Sequence, residues 1–197
     1  YGILNKITIE KIIGTTAAHN ASLATNPVTE EIAYAAGTIA VLYNPRRNRQ
    51  VRFFRVAKAV SCVEFSADGK YLAVGEKGHD PGIIVFELAT NKQISELKGH
   101  KFGVSSIAFS PQGSTLVSVG YKHDRRLYVW NWKFGKAVAA ARIVSKVFTV
   151  RFTNDSKQFI TCGEKHVKFW NLDPNSVEVE GDENENTINV SSALYAL

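Results

Sequence analysis

The chain has no methionine, only two cysteines and no run of eighteen apolar residues among its 197 positions. Each shortage removes a class of protein. Cys62 and Cys162 are too few and too far apart for a disulfide framework or a zinc site. Both lie in strand-like runs, SCVEF and FITCG, and read as buried, reduced thiols of a cytosolic protein. Without a long apolar run there is no candidate membrane-spanning helix. No stretch sustains the i, i+3, i+4, i+7 spacing of an amphipathic helix, which leaves strands to build the core. A phosphate-binding loop is missing too, since Gly75, Gly78 and Gly82 have neither the spacing nor the following helix. With no Met and Tyr1 as its first residue, the sequence reads as a piece of a longer protein.

What is present is an ordinary globular composition, 45% hydrophobic and 21% charged, and enough chain for one substantial core. The net charge of +6 conceals two regions of opposite sign. Residues 173–197 hold six acids (Asp173, Glu178, Glu180, Asp182, Glu183, Glu185) and no Lys or Arg. The first 172 residues therefore hold 24 bases against 12 acids, a net of +12. A basic body of this kind calls for an acidic counterpart: nucleic acid, an anionic membrane or an acidic protein surface.

Short apolar runs separated by turn residues recur at a near-constant interval. Phe65, Phe109 and Phe152 are spaced by 44 and 43, Gly75, Gly120 and Gly163 by 45 and 43, and Phe86, Trp130 and Trp170 by 44 and 40. A period of about 40–45 residues with four short strands per unit is the signature of a β-propeller. The pattern places blades at about 21–56, 61–97, 104–141 and 147–172. In the second blade, Asp68 and Gly69 stand where a tight turn uses them. The alternating stretch ITIEKII at 7–13 is expected to be an outer strand that closes the ring. Residues 173–186 read as an acidic loop, and 187–197 as the start of the next strand or blade. The expected fold class is therefore all-β: a partial propeller, residues 1–172, of about four four-stranded blades from a larger ring. Its cut edges would expose apolar faces open to the missing blades or to self-association.

The stretch 99–132 is the most complete unit. It opens on Gly99-His100 and ends on Trp130-Asn131, with Asp124 six residues before Trp130 and twenty-four after His100. In this it resembles the WD-repeat family, although Asn131 stands where that family prefers Asp. The resemblance implies a seven-bladed parent ring and a hydrogen-bond relay in which Asp124 meets His100, His100 meets Ser118, and Ser118 reaches the Trp130 indole. A Ser-His-Asp set also invites a hydrolase reading. Trp130 as a fourth member and the repeat context argue for structure instead, so no catalytic residue is assigned and no enzyme is expected. The other units keep fragments. Asp80 lies six before Phe86, which has no N–H to satisfy, and Glu164 lies six before Trp170 with Thr161 nearby but no Gly-His ahead. His79, His123 and His166 recur in turns on different blades and read as solvated turns rather than a metal site. No cofactor or metal is expected.

The basic residues cluster once. Arg46, Arg47, Arg49, Arg52, Arg55 and Lys58 fall within thirteen positions, interleaved with Val51, Phe53, Phe54 and Val56. Strand alternation would put Val51, Phe53 and Arg55 on one face and Arg52 and Phe54 on the other. Such a strand is either a solvated outer edge, protected from pairing by its charge, or a docking patch for an acidic surface. A kinase-docking reading, an Arg pair followed by Val51-x-Phe53, is weaker because such motifs sit in flexible tails.

The phrases VLYNPRRNRQ, DGKYLAVGEKGHDP, GHKFGVSSIAFSP, VSVGYKHD and KHVKFWNL, covering roughly residues 8–172, are similar to the N-terminal propeller of the mitogen-activated-protein-kinase-binding protein family, which includes the WD-repeat scaffold of the spindle pole. The acidic stretch at 178–186 is not part of the likeness. This resemblance implies a non-enzymatic interaction scaffold, cytoplasmic and cytoskeletal, at the centrosome or spindle pole. Its expected partners are proteins: an acidic surface such as tubulin, pole proteins, or components of stress-kinase signalling. No membrane partner is expected. The alternative is a nucleic-acid or chromatin-associated module using the same basic patch, disfavoured because no row of exposed aromatics accompanies it.

Overall fold

The computed structural model describes residues 9–172 and the short strand 192–193. Among these, sixteen strands form four antiparallel sheets of four. The first holds β1 (Leu23–Thr25), β2 (Ile32–Ala36), β3 (Ile39–Asn44) and β4 (Arg49–Arg55). The second holds β5 (Ala59–Phe65), β6 (Tyr71–Lys77), β7 (Gly82–Glu87) and β8 (Lys92–Lys98). The third holds β9 (Val104–Phe109), β10 (Leu116–Gly120), β11 (Arg126–Asn131) and β12 (Lys136–Arg142). The fourth holds β13 (Val147–Phe152), β14 (Gln158–Gly163), β15 (His166–Asn171) and β16 (Ser192–Ala193). The first strand of each sheet packs against the first strand of the next, so β1, β5, β9 and β13 line the axis.

Period-2 alternation sorts the side chains into three interfaces. In the second sheet, Leu72, Val74, Ile84 and Phe86 meet the first sheet, while Ala73, Ile83 and Val85 meet the third. In the third sheet, Leu116 and Trp130 face back to the second, while Val117, Val119 and Val129 face forward to Val150, Phe159 and Trp170 of the fourth. Both faces of a middle sheet are thus buried, which is why its strands read as nearly unbroken apolar runs. Each such Val, Ile, Leu or Phe contributes about 1.5–3 kcal/mol relative to exposure. The last strands have one solvated face, hence the charged and exposed pattern of β8 and β12.

Two bulges repeat. Where the third strand meets the fourth, Val51, Ile94 and Val138 are the extra residues, spaced by 43 and 44. Where the first strand meets the second, the extra residues are Ser61, Ser105 and Phe148. A bulge increases local twist, and a twisted sheet is the shape a blade requires. The inner bulges also link the sheets: Ser22 Oγ donates to Ser61 O (2.8 Å) and Ser105 Oγ to Val147 O (2.8 Å).

Several expectations need correction. Of the strand expected at 7–13, residues 7–8 lie outside the described residues, and 9–13 are not a strand. Ile12 instead exchanges hydrogen bonds with the Gln50 side-chain amide (2.8 and 2.7 Å), which takes the place of a ladder partner. The first blade begins with a 3-10 turn, Asn20–Ser22, and its inner strand starts only at Leu23. Of the two alternatives expected at 187–197, the next strand or the next blade, the strand is found: Ser192–Ala193 pairs with Phe169 and Trp170 as the last strand of the fourth sheet. The acidic loop expected at 173–186 lies outside the described residues. On β4, the bulge at Val51 breaks the simple alternation: Val51 packs with Phe54 against the core between the first two sheets.

Candidate functional site

In an antiparallel sheet the β1–β2 and β3–β4 turns share one end of the blade, and the β2–β3 turns and the links to the next sheet share the other. His100 lies on a link, at the start of the 99–103 loop, Asp124 on the β10–β11 turn, Ser118 in mid-strand β10 and Trp130 in β11. The structure brings all four together. His100 Nδ1 meets Asp124 Oδ2, His100 Nε2 meets Ser118 Oγ at 2.8 Å, and Trp130 Nε1 donates to Ser118 Oγ at 2.8 Å. The proton count closes in one way. The indole N–H donates to the serine oxygen, the serine O–H donates to His100 Nε2, and His100 Nδ1–H donates to the carboxylate. Asp124 Oδ1 also accepts the Lys101 N–H (2.6 Å). Burial opposes the Asp124 charge, but the hydrogen bonds from His100 and from the Lys101 amide, with the charge of Arg126 nearby, hold its carboxyl below the usual carboxylate range.

Gly120 makes this possible: a Cβ there would lie 2.0 Å from Asp124 Oδ2, so the carboxylate can fold back only over a glycine. The same position in the fourth sheet is Gly163, where a Cβ would meet the Lys146 carbonyl at 2.0 Å. The periodic glycine thus marks a close approach, though to different groups in different sheets. Ser118 is fully buried, and its oxygen is held between an indole and an imidazole. No substrate carbonyl can approach it, so the arrangement serves to fix β10, β11 and the 99–103 loop to one another.

The fourth sheet builds a shortened version that sequence reasoning missed. Trp170 Nε1 donates to Thr161 Oγ1 (2.9 Å), and Thr161 Oγ1 lies 2.8 Å from His166 Nε2. The threonine proton must go to the imidazole, which therefore has to be neutral at Nε2. Burial, then the charge of Lys168, lowers the His166 pKa, in keeping with that state. The signal was available: His166 and Trp170 are four apart on one strand, hence on one face. Glu164, six residues before Trp170, is exposed and takes no part. In the second sheet Phe86 replaces the tryptophan and packs on Phe54 with the rings tilted by 37° (centroids 4.8 Å apart). There Glu76, not Asp80, is the buried carboxylate. It accepts the Lys58 N–H (2.8 Å) and the Gly82 N–H (2.9 Å). Asp80 points outward and pairs with His79 at 2.8 Å.

The six basic residues do not form one patch. Arg52 Nη1 donates to Leu88 O (2.6 Å), and the Lys58 ammonium donates to the carbonyls of His79 and Asp80, so both are spent joining the first sheet to the second. Arg46 pairs with Glu30 at 2.5 Å. Arg47, Arg49 and Arg55 are exposed and carry no ion pair among the described residues. Arg47 and Arg49 lie at the β3–β4 turn and Arg55 at the far end of β4, about 20 Å away along the strand. The turn histidines have separate partners or none, and no group of three or more metal-ligating side chains gathers among the described residues. No helix among these residues is long and apolar enough to cross a membrane.

At the turn end, opposite the relay, a cavity of about 270 Å³ opens beside the axis. Phe65, Phe109, Pro111 and Phe152 line it, with the ion pair Arg151 Nη1–Glu64 Oε1 (2.7 Å) bridging the second and fourth sheets. Burial pushes the Glu64 carboxyl up, and Arg151 opposes that shift.

Similar proteins agree with this architecture. Mitogen-activated protein kinase-binding protein 1 of Mus musculus is 42% identical over 170 residues, 86% of this chain. WD repeat-containing protein 62 of Mus musculus is 39% identical over 172 residues, 87% of this chain. The chain spans 11% of the length of each. Cilia- and flagella-associated protein 52 of Sus scrofa is 28% identical over 176 residues, covering 85% of this chain and 28% of that protein. Among solved structures, a chain in the crystal structure of the mitotic checkpoint complex superposes with a TM-score of 0.67 at 18% identity, over 77% of this chain and 47% of that one, and shows the same fold. The family description "WD domain, G-beta repeat" matches residues 48–87, 91–131 and 143–171. The first two matches begin in or at the last strand of one sheet and run through three strands of the next. With these matched repeats, and the sheets they build, the chain belongs to the WD-repeat family.

Proposed function

We propose that this chain is a propeller segment of a non-enzymatic interaction scaffold, cytoplasmic and cytoskeletal, which docks acidic protein surfaces such as that of a microtubule at a centrosome or spindle pole. One observation carries the reading: a +12 body whose exposed Arg47, Arg49 and Arg55 have no acidic partner among the described residues. Unmatched surface charge on a rigid frame steers association with an oppositely charged partner. A relative named for binding a mitogen-activated protein kinase supports a link to kinase signalling, and one named for association with cilia and flagella supports a cytoskeletal setting. The test is co-sedimentation with microtubules, run beside a nucleic-acid shift assay at matched salt. The expected result is microtubule binding that falls when Arg46, Arg47 and Arg49 are reversed to Glu. Binding to nucleic acid alone would replace this reading with a chromatin-type module, and microtubule binding untouched by the reversal would remove these arginines from it.

A further inference from the structure

We infer that three loops at the relay end, residues 77–81, 99–103 and 121–125, form a pre-shaped basic seat for an acidic peptide. The inference rests on the scaffold reading above but places docking on the opposite end from the β3–β4 turn. The middle loop is tied to both neighbours through its backbone. Gly78 N donates to Phe102 O (3.4 Å), Asp80 N to Lys101 O (2.9 Å) and Tyr121 N to Gly103 O (2.9 Å). Gly103, at φ 144°, lies flat on the Tyr121 ring, where a Cβ would come within 2.7 Å. From below, the relay holds the Lys101 amide, and the Lys58 ammonium holds the carbonyls of His79 and Asp80. Loops fixed in this way lose little further freedom when a ligand binds.

The charges on these loops are sorted by direction. Two of the three acids are turned inward, and the third, Asp80, is exposed beside His79 (2.8 Å). The Asp124 side chain is 2% exposed and belongs to the relay, Glu76 is buried against two backbone amides, and Asp80 is held by His79. The bases point out. Lys101, Lys122 and Arg125 are exposed without an ion pair among the described residues, and His79 and His123 flank them. Beside Lys101 stands Phe102, 49% exposed, an apolar foothold in a cationic surround. A run of carboxylates with one apolar side chain matches that layout. Successive nucleobases would need a row of aromatic platforms, and these loops offer one phenylalanine. Because the seat is built on the second and third sheets alone, it does not depend on chain beyond the four blades.

The test uses the full chain and fluorescence anisotropy with three labelled probes: a decaglutamate, a Glu-rich decapeptide with a central Phe, and a thymidine decanucleotide. Lys101→Gln/Lys122→Gln/Arg125→Asn removes three charges, keeps the Lys101 amide for Asp124, and puts a residue that tolerates the left-handed backbone at 125 (φ 54°). It should weaken both peptides at least about tenfold at low ionic strength, and the difference should shrink at high salt. Lys122→Gln alone, at an exposed turn position, should weaken them about threefold, which keeps the test valid should the triple variant melt early. Phe102→Ser should weaken the Phe-containing peptide alone. Unchanged peptide affinity in the loop variants, or tighter binding of the nucleotide than of either peptide, would overturn the proposal. If the loss instead follows Arg46→Gln/Arg47→Gln/Arg49→Gln, the seat is wrong and the scaffold reading stands on its β3–β4 turn. If the parent binds no peptide, the seat is wrong, and the scaffold reading is decided separately by microtubule co-sedimentation.

Discussion

Replacing Ser118 by Ala tests whether the relay is architecture. The change removes one fully buried oxygen and leaves the volume almost intact, so packing is hardly altered. It strands two partners at once, the Trp130 indole N–H and His100 Nε2, in a site where the His100 and Asp124 side chains are 1% and 2% exposed. Each stranded buried group costs about 1–3 kcal/mol, partly offset because the serine hydroxyl no longer has to be desolvated. The net expectation is a loss of about 3 kcal/mol. For a chain of this size that lowers the melting midpoint by roughly 6–12 °C, at about 2–4 °C per kcal/mol. Urea unfolding followed by tryptophan fluorescence reads it directly, since Trp130, Trp132 and Trp170 are all buried. Trp130→Phe removes the other end of the same bond, so the double variant should be less destabilised than the sum of the singles by about 1 kcal/mol. A Ser118→Ala chain within about 0.5 kcal/mol of the parent, or strict additivity in the cycle, refutes the reasoning. An esterase activity lost in a normally stable Ser118→Ala chain would point to catalysis instead.

Thr161→Val removes the equivalent hydroxyl of the fourth sheet, but the freed His166 is only half-buried and can turn to water; the expected loss in urea unfolding is about 1–2 kcal/mol, smaller than at Ser118. Gly120→Ala drives a methyl into the Asp124 carboxylate and should destabilise about as much as losing the relay; a crystal structure of the variant should show Asp124 displaced from His100. Burial pushes the Cys62 thiol up to about 12, so iodoacetamide should label it only on unfolding, as mass spectrometry of the folded and denatured chain will show. Asp124 has its pKa depressed in the folded chain, so its stabilisation is complete above the ordinary carboxylate range near 4 and is lost as pH falls through the folded value. Asp124→Asn should therefore flatten the acid limb of the stability–pH curve, and an unchanged limb would show that the carboxylate is not ionised in the relay.

The blade count was legible because it depends on spacing, and the relay because the stretch 99–132 resembles a WD repeat. Phe, Gly and Trp recur at fixed intervals, and alternation fixes which of them share a face. What stayed hidden depends on register. Nothing in RQVRFFR announces the bulge at Val51, yet that one extra residue turns Val51 to the face of Phe54 and leaves Arg52 to bond Leu88 across the sheet boundary. The arginine run looked like one patch because sequence shows charge without partners. The structure divides it into tethers, one ion pair and three side chains, at two ends of a strand, that have no ion pair among the described residues. The His166–Thr161–Trp170 set stayed hidden because its histidine lies on the strand of the tryptophan itself, and not on the preceding link as His100 does.

The offset between matched repeats and sheets bears on how such a chain can be lengthened or spliced. A segment cut at the repeat boundary near 88–91 carries the last strand of one blade and three strands of the following one. Inserted into another propeller, it supplies the missing fourth strand to its predecessor and receives its own from its successor, and every backbone ladder is made across a junction. A segment cut at the blade boundary instead shares no strand ladder with its neighbours and meets them through packed side chains and a few isolated backbone bonds such as Val60 N to Gly37 O (2.8 Å). Gene duplication in units of the first kind therefore propagates a ring with each copy already latched to the next, whereas one such unit without its neighbours keeps three strands of its own sheet with an open edge.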